Sequence, residues 1–469
     1  MPANILYSLT DDTICAVATP PGTSAIAIIR LSGRNSLPVA FSLFNHENRE
    51  LNKENIKSHH LYFGTIQYKG QIIDEVLLSY FKAPHSYTGE DVVEISCHGS
   101  QYVQQKLLET LMESGARLAK PGEFTMRAFF NGKLDLSQAE AVADLIASQS
   151  KTAHRVAMNQ MRGGYSEKIN ELRNRLLNFS SLIELELDFS EEDVVFADRE
   201  QFFKLIDQIE NELSVLIQSF KVGNVLKKGI PVAIIGKPNT GKSTLLNAIL
   251  NEEKAIVSDI PGTTRDSIED TIVIEGYAFR FIDTAGLRKT ECKIENIGIE
   301  RTYDKIEKAS LILYVCDISN MNKKEITEIL RDFRQYIEDD DKDFILVANK
   351  IDKLSEIPPH LKEMLELDTI FVSAKRKENI HLLAETLVSK VKEKSISDDI
   401  MVSNSRHYEA LLQTMESLQQ VKKGFQDNLP TDLVSIDIRQ ALHYLGSITG
   451  EITTNEILGN IFSRFCIGK

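Results

Sequence analysis

Residues 232–250 limit the fold more than any other stretch of the chain. The β-rich run Val232-Ala-Ile-Ile235 leads into Gly236-Lys-Pro-Asn-Thr-Gly241-Lys242-Ser243, and a stretch carrying Leu245, Leu246, Ile249 and Leu250 on one side follows. A strand, a glycine-bounded loop and an amphipathic helix in that order predict a phosphate-binding P-loop. Its glycines let backbone N–H groups wrap phosphate oxygens, Lys242 neutralises the β- and γ-oxygens, and the Ser243 hydroxyl ligates Mg²⁺. Asn239, Thr240, Gly241 and Thr244 complete the contact set expected of this loop.

Four further elements follow in order and specify the base. Thr263-Thr264-Arg265-Asp266 sits where a switch loop offers a threonine to Mg²⁺, and Thr264 is the expected second protein ligand. Asp283-Thr284-Ala285-Gly286 follows a strand, so that Asp283 faces the metal's outer shell and the Gly286 N–H faces the γ-phosphate. Asn349-Lys350-Ile351-Asp352 follows another strand, and the Asp352 carboxylate can accept both N1–H and the N2 amine of guanine. Adenine has neither donor, so an unpaired carboxylate rejects ATP by several orders of magnitude. Ser373-Ala374-Lys375 supplies a backbone N–H for guanine O6. The expected substrate is GTP.

Leu287 follows the Asp-Thr-Ala-Gly element, at the position where Ras-type proteins carry the glutamine that orients the attacking water. Another polar residue must take that role. Glu291, Glu295 and Glu300 are the nearby carboxylates, and Arg288 is the nearest candidate for an arginine finger in cis.

Around the motifs, short β-rich runs at 232, 271, 279, 311, 344 and 370 alternate with helical stretches, which predicts a doubly wound α/β domain. No proline occurs from Gly122 to Ile230, so long helices are expected there. Phe202, Ile206, Ile209, Leu213, Leu216 and Phe220 alternate spacings of four and three and lay one apolar stripe along a helix. Leu172, Leu176 and Ile183 continue the pattern upstream, and Leu411, Met415 and Leu418 repeat it downstream. The polar flanks KVGNVLKKG and VKEKSISDDIMVSNS read as linkers. The expected architecture is thus an α+β domain over residues 1–121, a helical domain in two parts (122–222 and 392–469), and a Ras-like G domain inserted over 223–391. Because the two linkers lead into both helical parts, the G domain is expected to act as a switch that closes against a second copy of itself.

Bulk properties exclude several classes. At 469 residues the chain exceeds a single core, and 42% apolar with 26% charged residues is a globular composition. No run of about 18 apolar residues and no signal-like N-terminus is present, so a cytoplasmic protein without membrane insertion is expected. The five cysteines include no Cys-x-x-Cys pair, which argues against a disulfide framework or a zinc site. A net charge of −14 means that any RNA contact needs a local basic patch or a partner protein.

With these motifs placed, the chain resembles the MnmE (TrmE) family of tRNA-modification GTPases over essentially its whole length. The resemblance rests on ATPPGTSAIAIIRLSG, SYTGEDVVEISCHG, PGEFTMRAFFNGKLDLSQAEAVADLI, GKPNTGKS, PGTTRD, DTAGLR and the terminal Phe-Cys-Ile-Gly-Lys. It implies an N-terminal domain similar to tetrahydrofolate-binding domains, with Arg30, Glu94, Lys133 and Lys469 at the positions that match folate contacts. It implies a potassium ion in place of the arginine finger, held by positions matching Asn239, Ser258, Ile260 and Thr263, and it selects Glu295 as the water-orienting carboxylate. Cys466, inside the terminal motif, is implied as a participant in the chemistry.

The family further implies a homodimer working with an FAD-containing MnmG (GidA) partner, together a heterotetramer. The pair would modify C5 of the wobble uridine of certain tRNAs with a carboxymethylaminomethyl or aminomethyl group. A reduced folate, 5,10-methylene- or 5-formyl-tetrahydrofolate, is the expected carbon source. No Gly-x-Gly-x-x-Gly fingerprint opens a βαβ unit in this chain, so the flavin is expected on the partner. The competing reading is a regulatory or ribosome-assembly GTPase without covalent chemistry. Such a protein would be marked by an appended basic RNA-binding module, and none is visible.

Overall fold

A computed structural model of the chain describes residues 12–46, 53–188, 199–251, 255–257, 270–282, 298–339, 341–354, 368–394, 401–463 and 465–469. The N-terminal part forms a seven-stranded sheet from β1 (Thr13–Val17), β2 (Ile26–Ser32), β3 (Phe44–Asn45), β4 (His60–Tyr68), β5 (Gln71–Phe81), β6 (Val92–His98) and β7 (Ala116–Leu118), in the order β3-β4-β5-β6-β2-β1-β7. Only the β1–β7 pair is parallel. The two-residue side-chain period decides which face is core. On β2, Ala27, Ile29 and Leu31 are fully buried and join Leu78, Ile95, Leu107 and Leu111, while Arg30 points to the opposite face. Helices α1 (Ser36–Phe41) and α2 (Gln101–Glu113) belong to this part, with Leu107 and Leu111 on α2.

The proline-free stretch is helical, as its composition predicts: α3 (Glu123–Phe130), α4 (Leu136–Ala147), α5 (Lys151–Met161), α6 (Gly164–Asp188) and α7 (Arg199–Lys228). The stripe residues Phe202, Ile206, Ile209, Leu213 and Leu216 of α7 are buried, as are Leu172, Leu176 and Ile183 of α6. KVGNVLKKG departs from its sequence reading. Lys221–Lys228 is the last part of α7 and not a linker, because Leu226 is buried and Gly223 admits the carbonyl of Val402 so closely that a Cβ would lie 2.2 Å from it.

A second seven-stranded sheet comprises β8 (Ile230–Ile235), β9 (Ala255–Val257), β10 (Asp270–Ile274), β11 (Tyr277–Phe281), β12 (Leu311–Asp317), β13 (Asp343–Asn349) and β14 (Thr369–Val372), in the order β14-β13-β12-β8-β11-β10-β9. The five strands from β14 to β11 run parallel and β10 is antiparallel to both neighbours. Its described helices are α8 (Lys242–Leu250), α9 (Gly298–Lys308), α10 (Lys323–Asp332), α11 (Arg334–Ile337) and α12 (Ile380–Lys394). Both faces are covered, with Leu245, Leu313, Val347 and Leu383 in one core and Ile312, Ile326 and Leu346 in the other.

The chain continues with α13 (Ser405–Gln426), α14 (Thr431–Thr449) and α15 (Asn455–Phe462). By backbone proximity it divides into two compact units: residues 1–143, 161–197 and 423–469 in one, and residues 144–160 and 198–422 in the other. In the first, α6 packs along α14 with Arg439 against Glu184 at 3.2 Å. In the second, Phe220 of α7 stacks on Tyr408 of α13 with ring centroids 4.3 Å apart. The whole is a multidomain α/β-plus-helical protein. Among the described residues no helix is long and apolar enough to cross a membrane.

Candidate functional site

The P-loop turns between β8 and α8 at the carboxyl end of a parallel sheet, where doubly wound folds bind ligands. Two glycines make the turn possible. Gly236 has φ 138°, and a Cβ there would lie 2.2 Å from the Val315 carbonyl oxygen. Gly241 has φ 98°, and a Cβ would lie 2.3 Å from Asn349 Nδ2. A backbone stripped of side chains in this way is a cradle for phosphate at the N-terminus of α8. Asn239 holds φ 62° at the exposed tip of the loop, and Thr240 closes the turn by donating its hydroxyl to the Lys237 carbonyl at 3.0 Å. Ser243 and Thr244 occupy the first turn of α8, where a hydroxyl is suited to a hard cation.

Lys242 donates to the carbonyls of Gly236 and Lys237 of its own loop, each at 2.8 Å. Burial, and secondarily the charge of Lys305, holds this amine below its ordinary pKa. An anion among the loop N–H groups would reverse that cost by giving the ammonium an opposite charge.

The loops expected to read guanine follow β13 and β14, at the same end of the sheet as the P-loop. Asn349 is buried, donates from Nδ2 to the Thr240 carbonyl at 2.8 Å, and accepts at Oδ1 from the N–H groups of Lys350 (2.8 Å) and Ala374 (3.0 Å). One amide thus fastens the P-loop, its own loop and the Ser373-Ala374-Lys375 loop together. Asp352 accepts from the Ser373 hydroxyl at 2.7 Å, and that bond above all holds its carboxyl below the usual range. It is ionised, and a carboxylate in that state can accept from two donors at once. Lys375 is exposed beside it.

Ser258, Ile260, Thr263, Thr264, Asp283, Thr284, Ala285, Gly286 and Glu295 lie outside the described residues. The sequence reading missed Asp317. It ends β12 and accepts from Lys350 Nζ at 2.6 Å. The available signal was its place at the carboxyl end of the run LILYV, one strand over from Asn349.

The N-terminal sheet carries a second cluster. Arg30 and Glu94 are cross-strand register partners on β2 and β6, and Arg30 Nε donates to Glu94 Oε1 at 2.8 Å. The guanidinium lies 5.3 Å from the centre of the Tyr87 ring and 5.7 Å from that of Phe124. The C-terminal segment closes on it. Arg30 Nη1 lies 3.5 Å from the Gly468 carbonyl, Gly468 sits so close to β1 that a Cβ would meet the Val17 oxygen at 2.2 Å, and the Phe124 N–H donates to a Lys469 backbone oxygen at 3.3 Å. Lys133 stands on the neighbouring loop, donating to the Pro84 carbonyl at 3.1 Å. Cys466 is exposed in the same C-terminal segment and is held through its carbonyl by Gly122 and Lys469 N–H groups.

Sequence reading also missed what holds this cluster in place. Arg127, 5% exposed, pairs with Asp12, Glu90 and Glu123, and Arg117 reaches Asp12 and Glu123. Burial alone would push the Glu123 carboxyl up, but Arg117, the Lys120 N–H and Arg127 outweigh it and hold the acid below its ordinary value. Glu90 also takes the Ser32 hydroxyl at 2.7 Å, while Tyr87 bonds Thr125 at 2.8 Å. The loop bearing Tyr87 is thereby tied to both the sheet and α3.

A doubly wound sheet, a glycine-built phosphate cradle and an ionised carboxylate on the loop after β13 mark the class of P-loop GTP hydrolases. Residues 13–133 match the family described as GTP-binding protein TrmE N-terminus, and residues 136–466 match the MnmE helical domain. The tRNA modification GTPase MnmE of Flavobacterium psychrophilum is 51% identical over 465 residues, covering 98% of this chain and 99% of the relative. That of Flavobacterium johnsoniae is 51% identical over 471 residues, covering 98% and 100%. Among solved structures, the G domain of the T. maritima FeoB iron transporter is 27% identical, spanning 34% of this chain and 97% of its own, with a TM-score of 0.25. The chain belongs to the MnmE (TrmE) family and is a tRNA-modification GTPase.

Proposed function

We propose that this GTPase works as a homodimer with an FAD-containing MnmG (GidA)-like partner in the cytoplasm, and that the complex builds a carboxymethylaminomethyl or aminomethyl group on C5 of the wobble uridine of certain tRNAs. The domains are proposed at 1–121 for folate binding, 122–222 with 392–469 for the helical part, and 223–391 for the G domain, with the first G-domain boundary moved to the end of α7 at Lys228. The observation that carries the reading is the Arg30 cluster. A guanidinium, a carboxylate and two aromatic rings stand beside the C-terminal segment that bears Cys466, and a G domain alone has no use for them. Lys133 and Lys469 suit a glutamyl carboxylate, Glu94 suits an aminopyrimidine edge with Arg30 bonded to it holding it in place, and the ring faces suit a flat pterin. A reduced folate bound there would supply the one-carbon unit. Arg30 orients it through charge, and Cys466 lies within the same segment as a thiol available to the reaction.

In the G domain, Lys242 and the loop N–H groups hold the phosphates. Ser243 with Thr264 holds Mg²⁺, and Asn239 with Ser258, Ile260 and Thr263 holds K⁺. The Asn239 amide, on an exposed loop tip, is an oxygen donor of the kind a monovalent cation takes. Such an ion supplies the positive charge that an arginine finger otherwise brings to the transition state. Glu295 orients the attacking water.

Nucleoside analysis of tRNA from cells lacking the protein tests the reading, and the C5-substituted wobble uridine should be absent. Unchanged tRNA nucleosides would favour the regulatory GTPase instead. GTP turnover should also be faster in KCl than in matched NaCl, and Glu295→Ala should lose most hydrolysis while keeping GTP affinity.

A further inference from the structure

The loop that reads guanine and the loop that cradles phosphate are joined by one ammonium. Lys350 Nζ donates to the backbone oxygen of Asn239 in the P-loop at 2.6 Å and to Oδ2 of Asp317 at 2.6 Å. Both residues of the first contact have backbone conformations that side-chain-bearing residues rarely adopt, φ 69° at Lys350 and φ 62° at Asn239. Such conformations persist where surrounding contacts over-determine them.

Asp317 supplies the fixed end. Its Cα is the register partner of Asn349 at the carboxyl ends of the adjacent parallel strands β12 and β13, so the sheet sets its place relative to the guanine motif. Its Oδ1 accepts from the Ser319 N–H at 3.1 Å and the Ser319 hydroxyl at 2.6 Å, which prevents the carboxylate from turning away from Lys350. Burial pulls its pKa up, but the bonds from Lys350 and Ser319 prevail, so it stays ionised. The Asp317 and Lys350 side chains are 15% and 22% exposed, so solvent screens this pair less than a surface one.

We infer that Asp317 is a positioning residue for GTP and GDP, acting through Lys350 to lock the guanine-reading loop and the P-loop into one binding surface. Without the carboxylate, the ammonium keeps a neutral carbonyl as its partner in the P-loop, and the two loops lose their common anchor. The effect falls on nucleotide affinity in either phosphorylation state. The inference rests on the GTPase activity alone and stands apart from the folate and potassium proposals.

A double-mutant cycle tests it. In Asp317→Asn, the Kd for GDP and the KM for GTP should rise together by about ten- to a hundredfold, the range expected when one partner of a partly buried charged pair is removed. The kcat at saturating GTP should fall less than about threefold, the split expected when binding rather than the transition state is affected. In a Lys350→Gln background the same substitution should change Kd by less than about twofold, because the coupling it removes is already gone. Asp317→Glu keeps the charge and should recover part of the lost affinity. The inference is overturned if Asp317→Asn binds GDP as the parent does, if its penalty persists in full in Lys350→Gln, or if Asp317→Glu loses as much as Asp317→Asn.

Discussion

In the nucleotide site, the described contact groups stand at the carboxyl ends of parallel strands or on the loops that follow them. In the Arg30 cluster the groups come from two strand faces, a loop, a helix and the C-terminal segment, with sequence separations of 64 for Arg30–Glu94 and 438 for Arg30–Gly468. The first site is written as short contiguous strings because each loop needs its residues in fixed order to shape a backbone cradle. The second is written as scattered single residues because a sheet face brings together side chains from strands distant in sequence. Their supports differ too. The P-loop is held largely by backbone carbonyls and one buried amide, whereas the Arg30 cluster stands beside a partly buried network of two arginines and three acids, with Arg127 and Glu123 at its buried centre.

The largest effect that would break this comparison is expected at the buried centre of that network. Glu123→Gln should destabilise the N-terminal part by about 3–5 kcal/mol near neutral pH, because Arg117 and Arg127 are left with less charge to face. The native Glu123 carboxyl lies below its unfolded value, so its contribution is present above the ordinary carboxylate pKa and is lost as pH falls through the depressed one. Chemical unfolding of both proteins across that acidic range should show the gap closing. A gap that persists below the folded pKa would assign the loss to packing rather than charge.

An intermediate effect is expected at Asp352, the carboxylate proposed to read guanine. Asp352→Asn should weaken GTP binding by about a hundredfold and shift preference toward xanthosine triphosphate, since an amide presents a donor where guanine also has donors. Competition between the two nucleotides measures it, and an unchanged preference would remove Asp352 from base recognition. Folding should be untouched, in contrast to Glu123→Gln.

The smallest effect is expected at Arg30. Arg30→Ala should weaken 5-formyl-tetrahydrofolate binding by about tenfold, roughly one charge-assisted hydrogen bond. GTP turnover should stay at the parent rate. Calorimetry reads the first and phosphate release the second. Loss of both together would erase the distinction between the two sites.

By itself, the sequence determined the strand-loop-helix order around the P-loop, the long helices of the proline-free stretch and the identity of the nucleotide. Strand-loop-helix order, the apolar stripe from Phe202 to Phe220 and the Asn-Lys-Ile-Asp string are local patterns, and local patterns depend on backbone geometry that the residues nearby dictate. KVGNVLKKG shows where local reading stops, since its polar composition predicts a linker while Lys221–Lys228 continues α7, with Val402, distant in sequence, packed against Gly223. Only the tertiary structure decided that Lys350 bridges Asn239 to Asp317, that Arg30 lies beside Tyr87 and Phe124 under the C-terminal segment, and that Arg127 is buried among three acids. A lone charged residue carries no local signature of its partner. The partner is chosen by strand register and helix packing, which join residues that the sequence keeps tens to hundreds of positions apart.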